Sequence, residues 1–197
     1  MTQRLEFFFD FASPYSYLAH SQLDGLDVEV AVRPMRVLKV MEAVGNQPTT
    51  IQSAAKGRYA FADLGRWAAR YGVPLNPGNM RKNDSAACAR AVLAAGRLGK
   101  AREATTALFH AFWGAGEPLT TTWEILAVLD KAGLDIKALE PLLDSPEIEA
   151  ELDANTREAA ERGVFGAPTI FVGEDMFFGN DRLDFVRERL ARAEVAA

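Results

Sequence analysis

Ser13 has the clearest chemical setting in the chain. It stands in the run Ser13-Pro14-Tyr15-Ser16, just after the apolar stretch Phe7 to Phe11 that only Asp10 interrupts. A serine there caps a helix by accepting a first-turn N–H, and proline can follow because its missing donor would be unpaired anyway. The same place puts the hydroxyl in the positive field of the helix N-terminus, where it can donate to an anion. Spacing alone leaves both uses open. Asn180-Asp181 is a second such place, ahead of a closing helix that carries Leu183, Phe185, Val186 and Leu190. The pair caps that helix, or its N–H groups hold a carboxylate while Asp181 takes an amine. Lys56 suits a carboxylate too, although a solvated loop lysine is the commoner case. The lone cysteine, Cys88, excludes an intramolecular disulfide, a CxxC pair and a multi-thiolate metal site, and reads as a small buried helical residue. His20 and His110 sit in helical patterns with no nucleophile or acid nearby in sequence, so neither is given a catalytic role and metal chemistry is poorly supplied.

The elements that must position these residues follow from periodicity. Leu5 to Phe11 reads as a buried strand, Ser13 opens a helix that continues towards Leu23 and stops at Gly25, and Val28 to Val32 is a strand closed by Pro34. That is a βαβ unit with parallel strands and a right-handed crossover. Residues 35–58 read as linker and loop. From Tyr59 to about Ala160 the pattern is helical: Tyr59, Phe61, Leu64, Trp67, Ala68 and Tyr71 form one stripe ending at Gly72. Further helices cover 86–98 and 101–113, a capping box starts one at Thr121, and Ser145-Pro146 starts one that runs to Arg162. These helices are expected to form a bundle of their own. Thr169 to Val172, a turn at Gly173-Glu174-Asp175 and Met176 to Phe178 make a hairpin before the last helix. The fold class is therefore α/β, one mixed sheet (βαβ plus ββα) with a large all-helical insertion. The expected division is 1–45 with 155–197 around the sheet, and 46–154 as the inserted block.

With 49% hydrophobic and 25% charged residues, the 197-residue chain has the composition of a globular protein. A net charge of −5 argues against nucleic acid as a partner. No stretch nears the roughly 18 uncharged apolar residues that span a bilayer, and MTQRLEFFFDF lacks the pattern of a secretion signal. A cytoplasmic location and no membrane partner are expected. Charge is uneven: Arg33, Arg36, Lys39, Lys56 and Arg58 face only Glu42 in their stretch, whereas Asp130 to Glu161 holds ten acidic residues against three basic ones. Such a basic stretch suits a small anionic ligand, or is an ordinary solvated face.

The element order, the S-P-Y-S turn and a G-A-P-T ahead of the third strand resemble the DsbA-like branch of the thioredoxin superfamily. Ser13 and Ser16 occupy the positions where that branch carries two cysteines, which removes dithiol–disulfide exchange. The chain most resembles the 2-hydroxychromene-2-carboxylate isomerases and kappa-class glutathione transferases. F-D-F-x-S-P-Y-S-Y-L-A at 9–19, G-N-x-P at 45–48, K-G-x-Y at 56–59, G-V-F-G-A-P-T at 163–169 and F-G-N-D-R at 178–182 carry the likeness.

The resemblance implies a thioredoxin-like fold, glutathione as cofactor, a small aromatic carboxylate as substrate and a homodimer. It implies that Ser13 polarises the glutathione thiol, that Ala167-Pro168 is cis and pairs with the peptide, and that Asn180 and Asp181 hold the γ-glutamyl end. Asn46 and Lys56 match positions that contact glutathione or substrate, and Asn79 and Asn83 either line the substrate pocket or cap their own turn. Positions some isomerases use for the substrate fall at Met41 and around Ile51-Gln52. The implied activity is glutathione-dependent isomerisation, with a kappa-like transferase and a non-catalytic thiol- or peptide-binding module as alternatives.

Overall fold

The computed structural model describes residues 4–48 and 52–195, the last three by backbone alone. Strand β1 (Arg4–Phe9) lies inside a four-stranded sheet of order β2-β1-β3-β4. β2 (Glu29–Pro34) runs parallel to it, with Leu5 opposite Val30 and Phe9 opposite Pro34. β3 (Thr169–Val172) pairs antiparallel on the other side, Leu5 opposite Val172, and β4 (Asp175–Phe178) completes a hairpin. Gly173 opens that two-residue turn at φ 64°, the left-handed value its first central position requires. A strand covered on both faces needs apolar residues on both, so Phe7, Phe8 and Phe9 follow one another without polar alternation. Leu5, Phe7 and Phe9 face the larger core; Phe8 faces a smaller one with Met35, Val40 and Phe171.

Nine α-helices are present among the described residues: α1 (Pro14–His20), α2 (Val37–Ala43), α3 (Ala54–Tyr71), α4 (Ser85–Arg97), α5 (Ala101–Phe109), α6 (Thr122–Lys131), α7 (Ile136–Leu143), α8 (Pro146–Glu161) and α9 (Leu183–Val195). The expected α/β arrangement is the observed one. The capping box at Thr121 forms, with Glu124 bonding back to the cap, and Gly72 ends α3 at φ 68°. None of the helices among the described residues is long and apolar enough to cross a membrane.

Four expectations need correction. Residues 37–43, read as loop, form α2; the helix is too short for a periodic signal and is fixed from outside, because Asp10 accepts the Val37 N–H at 2.9 Å. Tyr59 and Phe61, read as part of a core stripe, are 65% and 64% exposed, and only Leu64 and Ala68 of that stripe are buried. The helical block has no core of its own: Phe109 lies 5.2 Å from Phe9 and 4.5 Å from Phe11, inside one cluster that spans the sheet and α4 to α8.

The fourth correction concerns the basic stretch. Arg33 pairs with Glu158, Arg36 with Glu149 at 2.5 Å and Asp153 at 2.6 Å, and Lys39 reaches Asp153 at 3.5 Å. The cationic run after β2 and the acidic run of α8 are therefore each other's counterions. Arg162 at the end of α8 continues the seam, bonding Glu6 at 3.0 Å and lying 3.8 Å over the ring of Phe171. Arg33, Arg36 and Lys39 are thus engaged with α8, while Lys56 and Arg58 lie outside this seam.

Candidate active site

The site begins where β1 ends. Asp10 is 8% exposed, and its carboxylate accepts from Ala12 N at 2.8 Å and Val37 N at 2.9 Å, while its carbonyl accepts from Ser13 N at 3.0 Å. Burial pushes this carboxyl up, against the pull of those two N–H donors and Arg36. One side chain thereby fixes the turn before Ser13 to the start of α2. Trp113 adds a second tie through its indole N–H, which donates to Phe11 O at 2.8 Å.

Ser13 is the cap of α1: its Oγ accepts from Ser16 N at 3.3 Å, and Pro14 follows at the first helical position. Its hydroxyl donates to Ala167 O at 3.1 Å across the turn before β3. The Ala167-Pro168 bond is cis. Ser16, the second serine of the motif, is fully buried, whereas Ser13 keeps partial exposure beside the cis turn. Asn46 supports the cis turn from behind, donating to Phe165 O at 2.7 Å.

A cavity of about 240 Å³ opens beside this junction. Ala167, Pro168, Gly179, Asn180 and Asp181 line it, and so do Tyr15, Asp63, Trp67 and Phe178. Asn180 and Asp181 belong to a short 3-10 turn at 180–182 that leads into α9. Asn180 is 3% exposed, and its carbonyl accepts the Tyr71 hydroxyl at 2.8 Å. Gly179 has φ 100°, and a Cβ there would lie 2.6 Å from Asp181 Oδ1, so only glycine leaves that carboxylate in place. Gly166 gives room to the lining ring of Phe178: a Cβ would stand 2.7 Å from that ring, which packs on Phe165 with centroids 4.6 Å apart.

Tyr15, Asp63, Trp67 and Phe178 did not stand out in the sequence. Asp63 and Trp67 are four residues apart on α3, and the indole donates to the carboxylate at 3.1 Å. A tryptophan N–H with an acid one turn away was the available signal. The Tyr15 hydroxyl is pushed up to about 12, by burial first and then by Asp63 and Tyr59. It is a neutral donor at physiological pH.

The other polar candidates lie elsewhere. Lys56 is exposed in the first turn of α3 and is not among the described residues lining the cavity. Asn79 donates to Gly116 O at 3.2 Å and lines a separate groove with Phe61 and Met80. Asn83 uses both ends of its amide on backbone, donating to Glu117 O at 3.1 Å and accepting from Leu119 N at 2.9 Å. Met41 approaches the cis turn near Gly166, Gln52 bonds Gln47, and Ile51 lies outside the described residues.

A capped helix whose first hydroxyl faces a cis-proline turn, on a sheet of this order, defines a thioredoxin-fold protein, and the DSBA-like thioredoxin domain model matches residues 4–191. The 2-hydroxychromene-2-carboxylate isomerase of Sphingobium xenophagum is 38% identical over 196 residues, covering 96% of this chain and 99% of that protein. A solved structure of a 2-hydroxychromene-2-carboxylate isomerase superposes with a TM-score of 0.85 at 32% identity, covering 96% of this chain and 95% of the other. The chain belongs to the 2-hydroxychromene-2-carboxylate isomerase family within the DsbA-like thioredoxins. Glutathione S-transferase kappa 2 of Caenorhabditis elegans is a more distant relative, 28% identical over 95% of this chain and 91% of its own length.

Proposed function

We propose that this chain is a glutathione-dependent isomerase that interconverts 2-hydroxychromene-2-carboxylate and trans-o-hydroxybenzylidenepyruvate. The observation that carries the reading is the Ser13 hydroxyl held 3.1 Å from Ala167 O, so that the α1 N-terminus and the cis turn meet at one edge of the cleft. The residues present suit glutathione. A hydroxyl donor lies in the field of a helix N-terminus, a turn next to β3 offers backbone to an extended peptide, and a glycine at 179 keeps the Asp181 carboxylate at the wall. Bound there, glutathione would supply a thiol able to add reversibly to a conjugated double bond, so that the bond can rotate before the thiol leaves.

The chain's own residues supply the rest. Ser13 would turn its hydrogen bond from Ala167 O to the sulfur and keep its proton, and donation to the anion, together with the helix dipole, lowers the thiol pKa. Ala167 and Pro168 hold the peptide extended, and Asn180 and Asp181 hold its γ-glutamyl end. Tyr15, neutral at physiological pH, can donate to the substrate's developing oxyanion, and Phe178 gives an aromatic ring an apolar wall. Asn46 acts through the cis turn it braces. Lys56, Asn79 and Asn83 are carried forward as candidates for the substrate carboxylate and phenol. A cytoplasmic homodimer belongs to the same proposal.

The test is a spectroscopic assay on the chromene carboxylate with and without glutathione, with free thiol counted at the end. Turnover that needs glutathione and leaves it unconsumed is the expected result. The kappa relative supports a second reading, a conjugating transferase, for which thiol would disappear in step with substrate. Binding of glutathione with neither reaction would leave a non-catalytic module.

A further inference from the structure

The peptide unit that joins Phe11 to Ala12 is gripped at both ends. Its N–H, on Ala12, donates to Asp10 Oδ1 at 2.8 Å, and its carbonyl, on Phe11, accepts from the Trp113 indole at 2.8 Å. A peptide unit is planar, so bonds on its two opposite edges fix its orientation. One residue later the Ser13 N–H donates to Asp10 O at 3.0 Å. Ala12 is exposed, so side-chain packing does not hold this turn in place; the hydrogen bonds do.

Trp113 reaches Phe11 from a π-helical turn, His110–Ala115, that prolongs α5, and it is 2% exposed there. In a regular helix four residues overshoot a turn of about 3.6, which would carry Trp113 past the line of Phe109; the wider π turn takes that overshoot back. Both residues therefore meet Phe11, Phe109 ring to ring at 4.5 Å and Trp113 through its N–H. The π turn is itself clamped: Asn76 N donates to Trp113 O at 2.6 Å, and Asn76 Nδ2 donates to Ala115 O at 3.0 Å. Such turns are rare and are found frequently at functional sites.

We propose that Trp113 is a positioning residue for the isomerisation: by holding the Phe11 carbonyl it aims the Ser13 hydroxyl at the glutathione sulfur. The proposal rests on the glutathione reading above and brings into the site a residue that does not line the cleft. Loss of the indole N–H leaves the buried Phe11 carbonyl without that donor. The peptide unit is then held at its Asp10 edge alone and can rock about that bond, carrying Ser13 with it.

Two replacements remove the N–H. One is Trp113→Phe; the other puts benzothienylalanine at 113, which keeps the bicyclic shape with sulfur in place of the N–H and so answers the question even where Trp113→Phe fails to fold. The measurement is the pKa of the bound glutathione thiol, read from thiolate absorbance, for each replacement in the unaltered background and in Ser13→Ala. With Ser13 present the thiol pKa is expected to rise by about half a unit to one unit, because the hydroxyl is misaimed rather than removed. In Ser13→Ala the same replacements are expected to leave the thiol pKa where Ser13→Ala alone puts it. An equal rise in both backgrounds, or no rise with Ser13 present, overturns the proposal alone and leaves Trp113 as a core residue. Failure of the unaltered chain to bind glutathione overturns the functional reading and the proposal with it.

Discussion

Replacing Ser13 separates two uses of one hydroxyl. In Ser13→Ala the cap on Ser16 N and the bond to Ala167 O are both lost. A cap contributes about 1 kcal/mol and a neutral hydrogen bond about as much, so the half-exposed site should cost about 1–2 kcal/mol. For a chain of this size that lowers Tm by about 2–8 °C. The effect on the bound thiol should be larger in proportion. One hydrogen bond to an anion contributes about 1.5–3 kcal/mol, so the thiol pKa should rise by about one to two units.

Two further variants tell the cap from the donor. Asp caps as well as Ser but has no proton to give at neutral pH, so Ser13→Asp should recover the cap's share of the stability loss but not the share of the bond to Ala167 O, while raising the thiol pKa at least as far as Ser13→Ala. Ser13→Thr keeps both uses and should change neither. The measurements are thermal unfolding and the ultraviolet absorbance of bound thiolate against pH. A bound thiol that titrates identically in the unaltered chain and Ser13→Ala would refute the role given to the hydroxyl.

Two buried groups give further expectations. His20 is 5% exposed between Phe7 and Phe109, its Nε2 is 2.9 Å from Thr106 Oγ1, and burial lowers it to about 4. As pH falls below the ordinary value of about 6.5, the unfolded chain takes a proton that the folded chain refuses until about pH 4, so stability drops through that window by up to about 3 kcal/mol. The urea midpoint should therefore fall more steeply with acid in the unaltered protein than in His20→Gln, and parallel curves would count against it. Cys88 is fully buried and its thiol is pushed up, by burial first and then by Asp84 and Asp10. Alkylation by iodoacetamide should be negligible in the native protein and rapid in denaturant, and rapid native labelling would contradict the burial.

What could be read from the sequence was what short segments determine by themselves. Ser13-Pro14, Thr121 to Glu124 and Gly173-Glu174 each carry their own cap or turn chemistry, and each formed as read. The single mixed sheet followed because Phe7 to Phe9 and Ile170 to Val172 are apolar runs that had to be buried together, while the strand order came from the structure. Hidden were features decided across long separations. Helix α2 owes its start to Asp10, and Arg36 finds its acids more than a hundred residues further on. Tyr59 and Phe61 keep helical spacing yet face outward, since periodicity places residues on one face without saying what covers it. In the site, the motif residues were visible and the α3 wall was not, because Asp63 and Trp67 matter only once that helix lies beside Tyr15.

The pairing of β1 with β3 also bears on how the protein is made. β1 precedes the other three strands of the sheet, yet Val172, its partner for Leu5, comes after the whole helical block. Until then the Phe7 to Phe9 run can recruit β2 on one edge alone, which leaves its other edge open to pairing with a neighbouring chain. The junction of Ser13 with Ala167 is subject to the same delay, since the two are 154 residues apart. The cleft is complete only once the segment through Asp181 has emerged, so a product cut before it carries the first motif intact and still has no cleft.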